Sequence, residues 1–356
     1  MSDRARLRDL GIIIGEHGPG PLNAITDVPG IWVGHKTLIL DEPRVARTGV
    51  TVVVPRENRI HEDYAYAGYF SFNGNGEMTG LPWLEESGML GSPVAITNTH
   101  QVGLVRDGLV RYAVDRLQGQ GFFLPVVAET YDGWLNDIGA FHLSEQDLFD
   151  AMDAAEAGPV AEGNVGGGTG MICHDLKGGI GTSSRRVAVQ DEHYTVGALV
   201  QANYGERRHL RVNGVPVGLA LTPDVVPVPF SEPGGGSSII VVLATDAPLL
   251  PFQCKRLARR ATVGLARVGG MGHNGSGDIF IAFATGNHIP ASGEGPVEVS
   301  MLPNHLMDIL FEAAAEAVEE SILNALTAAQ TISGYRGRTA YALPLQQLQA
   351  LVHPTR

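Results

Sequence analysis

The chain has 356 residues, of which 44% are hydrophobic and 18% charged, with a formal net charge of -13 at pH 7. That is ample apolar material for one large core, and acidity without a run of five like charges excludes nucleic acid and anionic membrane as main partners. No segment reaches the roughly 18 apolar residues of a membrane span, and the apolar patch from Gly11 to Ile14 is too short for a secretion signal, so a cytoplasmic protein is expected.

In chain order, short β-branched runs predict strands at Ile31 to Val33, Val50 to Val54, Val94 to Thr97 and Val126 to Glu129. Before the last of these, Val102, Val105, Leu109, Val110, Ala113, Val114 and Leu117 recur at helical spacing and predict one apolar helix face. Further strands are expected at Tyr194 to Gln201, Ile239 to Ala244 and Ile279 to Ala284, with a second helical face of Phe252, Leu257, Ala261 and Leu265. Asn304 to Leu326 reads as the strongest helix, with Glu312, Glu316, Glu319 and Glu320 among its alanines. The strands arrive in groups rather than in alternation with helices, which favours mixed sheets covered by helices over a doubly wound parallel sheet. The Pro/Gly-rich stretch Pro223 to Gly236 reads as a surface loop inside one domain spanning residues 1–356.

The 46 glycines exceed average usage of about 7% and cluster at the ends of apolar runs, as at Gly74 and Gly76, Gly163 to Gly170, Gly234 to Gly236 and Gly269 to Gly277. This suggests loops converging on one place. Cys173 and Cys254 have neither metal nor disulfide spacing and read as core residues. None of the twelve histidines forms a ligand-type cluster, so neither a metal nor a cofactor is expected. The Ser276 surroundings lack the nucleophile-elbow pattern, and Asn164 to Gly170 lacks the lysine of a phosphate loop.

The junction Gly234-Gly-Gly-Ser-Ser-Ile239 differs, because a flexible loop ends on hydroxyls at the first positions of a buried strand. A hydroxyl fixed there can attack the preceding carbonyl, form an ester by an N-to-O acyl shift, and leave a new N-terminal serine after hydrolysis. The freed α-amino group, with a reference pKa of about 7.7 to 8.0, can serve as the base for that hydroxyl. Ordinary turn chemistry is the competing reading.

Ser238 to Pro248 and Gly275 to Thr285 resemble the DmpA-type self-cleaving aminopeptidases, which include the L-aminopeptidase D-amidase/D-esterases and the β-peptidyl aminopeptidases. Thr26 to His35, Thr97 to Gly103, Ala128 to Asp137, Glu162 to Gly170 and Val200 to Gly205 are similar as well. The resemblance implies an α+β fold, an αββα four-layer sandwich with mixed β-sheets, like the N-terminal-nucleophile hydrolases but differently connected. It also implies self-cleavage into chains 1–237 and 238–356, and a homotetramer of such αβ units. The expected substrates are short peptides, amino acid amides or esters with a free N-terminus.

Carried over residue by residue, the resemblance makes Ser238 the nucleophile and Ser237 the residue supplying the cleaved carbonyl, with Ser237 as nucleophile the alternative register. Asn203 and Tyr131 correspond to residues serving the oxyanion. Ser276 and Asp278 correspond to the pair that supports the nucleophile and its new amine, although β-peptidyl aminopeptidases carry the longer glutamate where Asp278 stands. Glu129 corresponds to the acid that binds the substrate's amino group, and Trp134 and Asn136 are expected to line or support the cleft. An acyltransferase resembling the ornithine acetyltransferases and an uncleaved peptide- or amino-acid-binding protein are the alternative functions.

Overall fold

A computed structural model describes residues 4–117, 122–229 and 237–353. In chain order it contains β1 (Trp32–Leu40), β2 (Ala46–Val54), β3 (Asp63–Ser71), α1 (Leu81–Ser87), β4 (Met89–Leu90), β5 (Val94–Asn98), α2 (Val102–Arg116), β6 (Val126–Thr130) and α3 (Glu145–Asp153). The short hairpin β7 (Ile172–Cys173) and β8 (Leu176–Lys177) precedes a long one, β9 (Gly179–Val189) and β10 (Glu192–Asn203). Then come α4 (Val217–Ala220), β11 (Ser237–Thr245), α5 (Pro251–Ala258), α6 (Ala261–Val268), β12 (Ser276–Pro290) and α7 (Met307–Ala328).

Two large sheets form among the described residues, ordered β1-β2-β5-β6 and β4-β3-β12-β11-β10-β9. Each is mixed, because β5 with β6 and β11 with β12 pair in parallel while their other neighbours run antiparallel. Strand alternation builds the layers. Along β11, Ile239, Val241 and Leu243 join the core that includes Leu257, Leu265 and Leu323 of α5, α6 and α7, while Ile240, Val242 and Ala244 face the other sheet. Along β6, Val126 and Ala128 face that same inter-sheet core, and Val127 packs with Val105 and Leu109 of α2 and Leu148 of α3. The result is the expected αββα sandwich.

The structure extends and corrects the element reading. Strands β3 and β9 carry too few β-branched residues to be read as such. In β9 the Gly-Thr-Ser-Ser run is buried because α7 lies against it: a Cβ on Gly181 would sit 2.0 Å from the Ser321 carbonyl oxygen, and Ser183 Oγ donates to the Ala317 carbonyl at 2.6 Å. The single helical face from Phe252 to Leu265 is two helices broken at Arg259 and Arg260, and Phe252 is exposed. Val114, expected on the buried face of α2, also points outward. A short 3-10 turn, Asn304–Leu306, precedes α7, whose Glu316, Glu319 and Glu320 are buried. Of these, Glu316 and Glu320 clasp Arg185 of β9 at 3.0 and 2.7 Å.

Both cysteines are free and buried, and burial pushes their thiols up, that of Cys173 to about 12. Among the described residues no group of three or more His, Cys, Asp or Glu could hold a metal ion, and no helix is long and apolar enough to cross a membrane. Residues 230–236 of the expected Pro/Gly loop, Gly234 to Gly236 included, lie outside the described residues.

Candidate active site

The Ser-Ser junction opens β11 at one end of the sandwich. Register places Ser238 between Asn203, the last residue of antiparallel β10, and Gly277 of parallel β12. Ser238 is buried and shares the parity of Ile240, so its side chain turns to the inter-sheet face. Its hydroxyl donates to the Ser237 carbonyl oxygen at 2.6 Å and accepts the Gly277 N–H at 3.1 Å. The hydroxyl therefore already lies against the peptide group that joins Ser237 to Ser238.

Ser237 has the opposite parity and pairs in register with Ser276. The two hydroxyls are 3.3 Å apart. Ser276 Oγ donates to Asp278 Oδ1 at 2.6 Å, and Asn73 Nδ2 donates to the other carboxylate oxygen at 3.2 Å. Asp278 needs no extra methylene to reach Ser276, because residues two apart on a strand share a face. Burial raises the Asp278 carboxyl above the usual range, opposed by its hydrogen bonds from Ser276 and Asn73.

Asn203 is held from two sides. Its Oδ1 accepts the Ile172 N–H at 2.8 Å, and its Nδ2 donates to the Tyr131 carbonyl at 3.0 Å. The amide orientation is thus fixed by the β7–β8 hairpin and by the turn after β6. Tyr131 contributes its backbone here, while its side chain is half-exposed, with the phenol oxygen 2.4 Å from where a Cβ on Gly133 would stand.

Glu129 ends β6 as a buried carboxylate, 3% exposed. The Glu77 N–H donates to its Oε1 at 3.0 Å, and Thr99 Oγ1 donates to its Oε2. Burial raises its carboxyl above the usual range, with Thr99, the Glu77 amide and His100 pulling it back. A Cβ on Gly76 would stand 3.3 Å from Glu129 Oε1 and 3.0 Å from Gly277 Cα, so this carboxylate and the Ser238 neighbourhood flank one glycine.

Trp134 and Asn136 lie in the loop that follows β6. Asn136 is buried with both amide atoms engaged, accepting the Arg47 N–H at 3.0 Å and donating to Asp132 Oδ1 at 3.0 Å. Trp134 packs with Leu135, Ile172, Ile332 and Ala340 under the Arg338 guanidinium, 5.4 Å from the ring centroid. Both brace the loop that follows β6. Sequence reasoning missed Asn73, Glu77 and Thr99. Thr99 lies inside the Thr97-Asn-Thr-His segment quoted for the resemblance, and Asn73 and Glu77 flank the Gly74 and Gly76 pair.

The chain matches peptidase family S58 over residues 23–340. It belongs to that family. It is 48% identical to the β-peptidyl aminopeptidase BapA of Sphingosinicella microcystinivorans, over 98% of this chain and 91% of that protein. Among solved structures, a β-aminopeptidase of Burkholderia sp. superposes with a TM-score of 0.92 at 51% identity, covering 99% of this chain and 100% of that one. The L-aminopeptidase D-Ala-esterase/amidase of Ochrobactrum anthropi, described as a prototype of the serine aminopeptidases and a variant of the Ntn-hydrolase fold, gives 0.90 at 46% identity over 98% of each chain. Membership of S58 favours peptide hydrolysis over the acyltransferase and binding-protein readings.

Proposed function

We propose that Ser238 performs two successive acyl transfers in this S58 enzyme, first on its own chain and then on a substrate. The protein is a self-cleaving serine aminopeptidase acting on short peptides. The observation that carries the assignment is the Ser238 hydroxyl, 2.6 Å from the Ser237 carbonyl oxygen on a strand fixed between Asn203 and Gly277.

In the first transfer Ser238 Oγ attacks the Ser237 carbonyl carbon, the C–N bond breaks, and an ester forms while the nitrogen of Ser238 becomes an amine. Water hydrolyses the ester, leaving Ser237 with a carboxylate and Ser238 as an N-terminus. In the second, the amine takes the proton of its own hydroxyl as Oγ attacks the substrate carbonyl, then gives a proton to the leaving amine. Water releases the acyl group by the reverse roles. The Asn203 amide, held by Ile172 and Tyr131, supplies a neutral donor for the oxyanion, and the Ser276–Asp278 pair orients the new amine.

Glu129 binds the substrate's ammonium group. A buried carboxylate held by Thr99 and the Glu77 amide offers a charge-assisted bond at a fixed place, which selects a free N-terminus and orients the scissile carbonyl. Glu129→Gln keeps the shape and removes the charge. With aminoacyl p-nitroanilides, self-cleavage should persist and kcat/KM should fall about 10- to 100-fold. An unchanged kcat/KM would remove Glu129 from amine recognition.

A further inference from the structure

One loop touches both halves of the site. Asn73 reaches the Asp278 carboxylate, the Asn75 amide donates to the Gly275 carbonyl at 2.8 Å, and the Glu77 N–H holds Glu129 at 3.0 Å. Between these anchors the chain passes through the space separating Gly277 from Glu129. Residue 76 passes there without a side chain, and a Cβ would crowd the gap, meeting Gly277 Cα at 3.0 Å, the Gly277 carbonyl oxygen at 3.4 Å and Glu129 Oε1 at 3.3 Å. Gly74, two residues earlier, has nothing within 4 Å of an added Cβ. Neither glycine adopts a positive φ, so a methyl group at either position tests space and not backbone strain.

We propose that Gly76 is a specificity-determining position, whose bare backbone sets the span between the amine-anchoring carboxylate of Glu129 and the nucleophile beside Gly277. The inference rests on the roles given above to Ser238 and Glu129. Gly277 is locked in β12 and its N–H holds the Ser238 hydroxyl, so it cannot yield. The side that gives is Glu129 with the Glu77 amide bound to it. A methyl group at residue 76 therefore pushes the anchor away from the nucleophile and lengthens the span. A substrate with an α-amino group must then stretch to keep both contacts. A substrate with a β-amino group has one more methylene between nitrogen and carbonyl and fits the longer span better.

The test compares wild type, Gly76→Ala, Gly74→Ala, Glu129→Asp and the Gly76→Ala/Glu129→Asp pair, each confirmed as folded by its thermal melt. The substrates are L-alanyl, β-alanyl and propionyl p-nitroanilide. Gly76→Ala should raise KM for L-alanyl p-nitroanilide by about tenfold or more and shift the β-alanyl to L-alanyl ratio of kcat/KM toward the β-amino substrate, with Gly74→Ala near wild type. Shortening the carboxylate withdraws it from the crowded contact, so the double variant should lose less than the two single losses combined. Equal behaviour of Gly76→Ala and Gly74→Ala, or strictly additive losses in the double variant, would overturn the proposal. Propionyl p-nitroanilide lacks the amine. Its hydrolysis by wild type at the L-alanyl rate would sink the anchoring role of Glu129 itself, and the Gly76 proposal with it, an outcome separate from any Gly76→Ala result.

Discussion

At the scale of single residues, the site keeps its acids buried for different ends. Glu129 carries hydrogen bonds on both oxygens, whereas Asp132, three residues on and fully buried, is pushed from 3.8 up to about 7 by burial, with Thr48 and Asn136 opposing and the Glu129 charge adding to the rise. Its folded pKa lies above its unfolded value. The native state therefore holds more protons than the unfolded state between these values, and the contribution of Asp132 to stability falls as pH rises from about 4 to about 7. Asp132→Asn removes this titration. Urea unfolding at pH 5 and pH 8 should show the variant gaining about 3 kcal/mol relative to wild type over that interval, from the two pH units between pH 5 and the folded value of about 7. An identical pH slope in both proteins would contradict a protonated Asp132. The roles proposed for Ser238, Asn203, Ser276 and Asp278 could be read from the sequence because each sits in a segment whose residues carry the family resemblance. Asn73, Gly76 and Glu77 could not, since their importance lies in a loop that only the packing of β3 against β12 brings beside the nucleophile.

At the scale of elements, the Asn203 amide is only as well placed as the hairpin that holds it. The β7–β8 hairpin is tied by Lys177, fully buried, whose Nζ donates to the carbonyls of Gly168, Met171 and Gly178 at 3.1, 2.8 and 2.8 Å. Burial lowers its pKa to about 7, and the three-donor ammonium is the form below that pH. Three donors meet three acceptors, and the turn they close presents the Ile172 N–H to Asn203. Lys177 is thus a positioning residue that acts through Ile172. Lys177→Met fills similar volume but removes all three hydrogen bonds; the Gly168 and Met171 carbonyls keep the Met171 and Gly178 N–H as partners, so the loss falls on the closure of the turn. Oxyanion support acts in the transition state, so kcat should fall about tenfold or more while KM stays near wild type. A rise in KM alone would show that the hairpin serves binding. The β-branched strands β2, β5, β6, β10, β11 and β12 were legible because burial on both faces demands continuous apolar runs. Strand β9 was not, because the close approach of α7 selects glycine and serine there, and Arg185 enters the core only through its partners on that helix.

At the scale of the molecule, the proposed cut before Ser238 would divide strands that pair across it. Strand β11 of the later half lies between β10 of the earlier half and β12 of its own, and β12 pairs with β3 of the earlier half. Arg4 donates to the carbonyls of Leu343 and Leu326, and the Leu7 N–H to Asn324, so the earlier half also clasps the later one from its N-terminal end. The two chains should therefore stay together until denatured. The account centres on Ser238 becoming an N-terminus, and the direct measurement is the mass of each chain in active enzyme after denaturation. Cleavage before Ser238 divides the 37.8 kDa chain of 356 residues into 237 and 356 − 237 = 119 residues, roughly 25 and 13 kDa by residue fraction. A lighter chain beginning at Ser238, absent from Ser238→Ala, is the predicted result; a lighter chain beginning at Ser237, or full activity in an uncut 37.8 kDa chain, would contradict it.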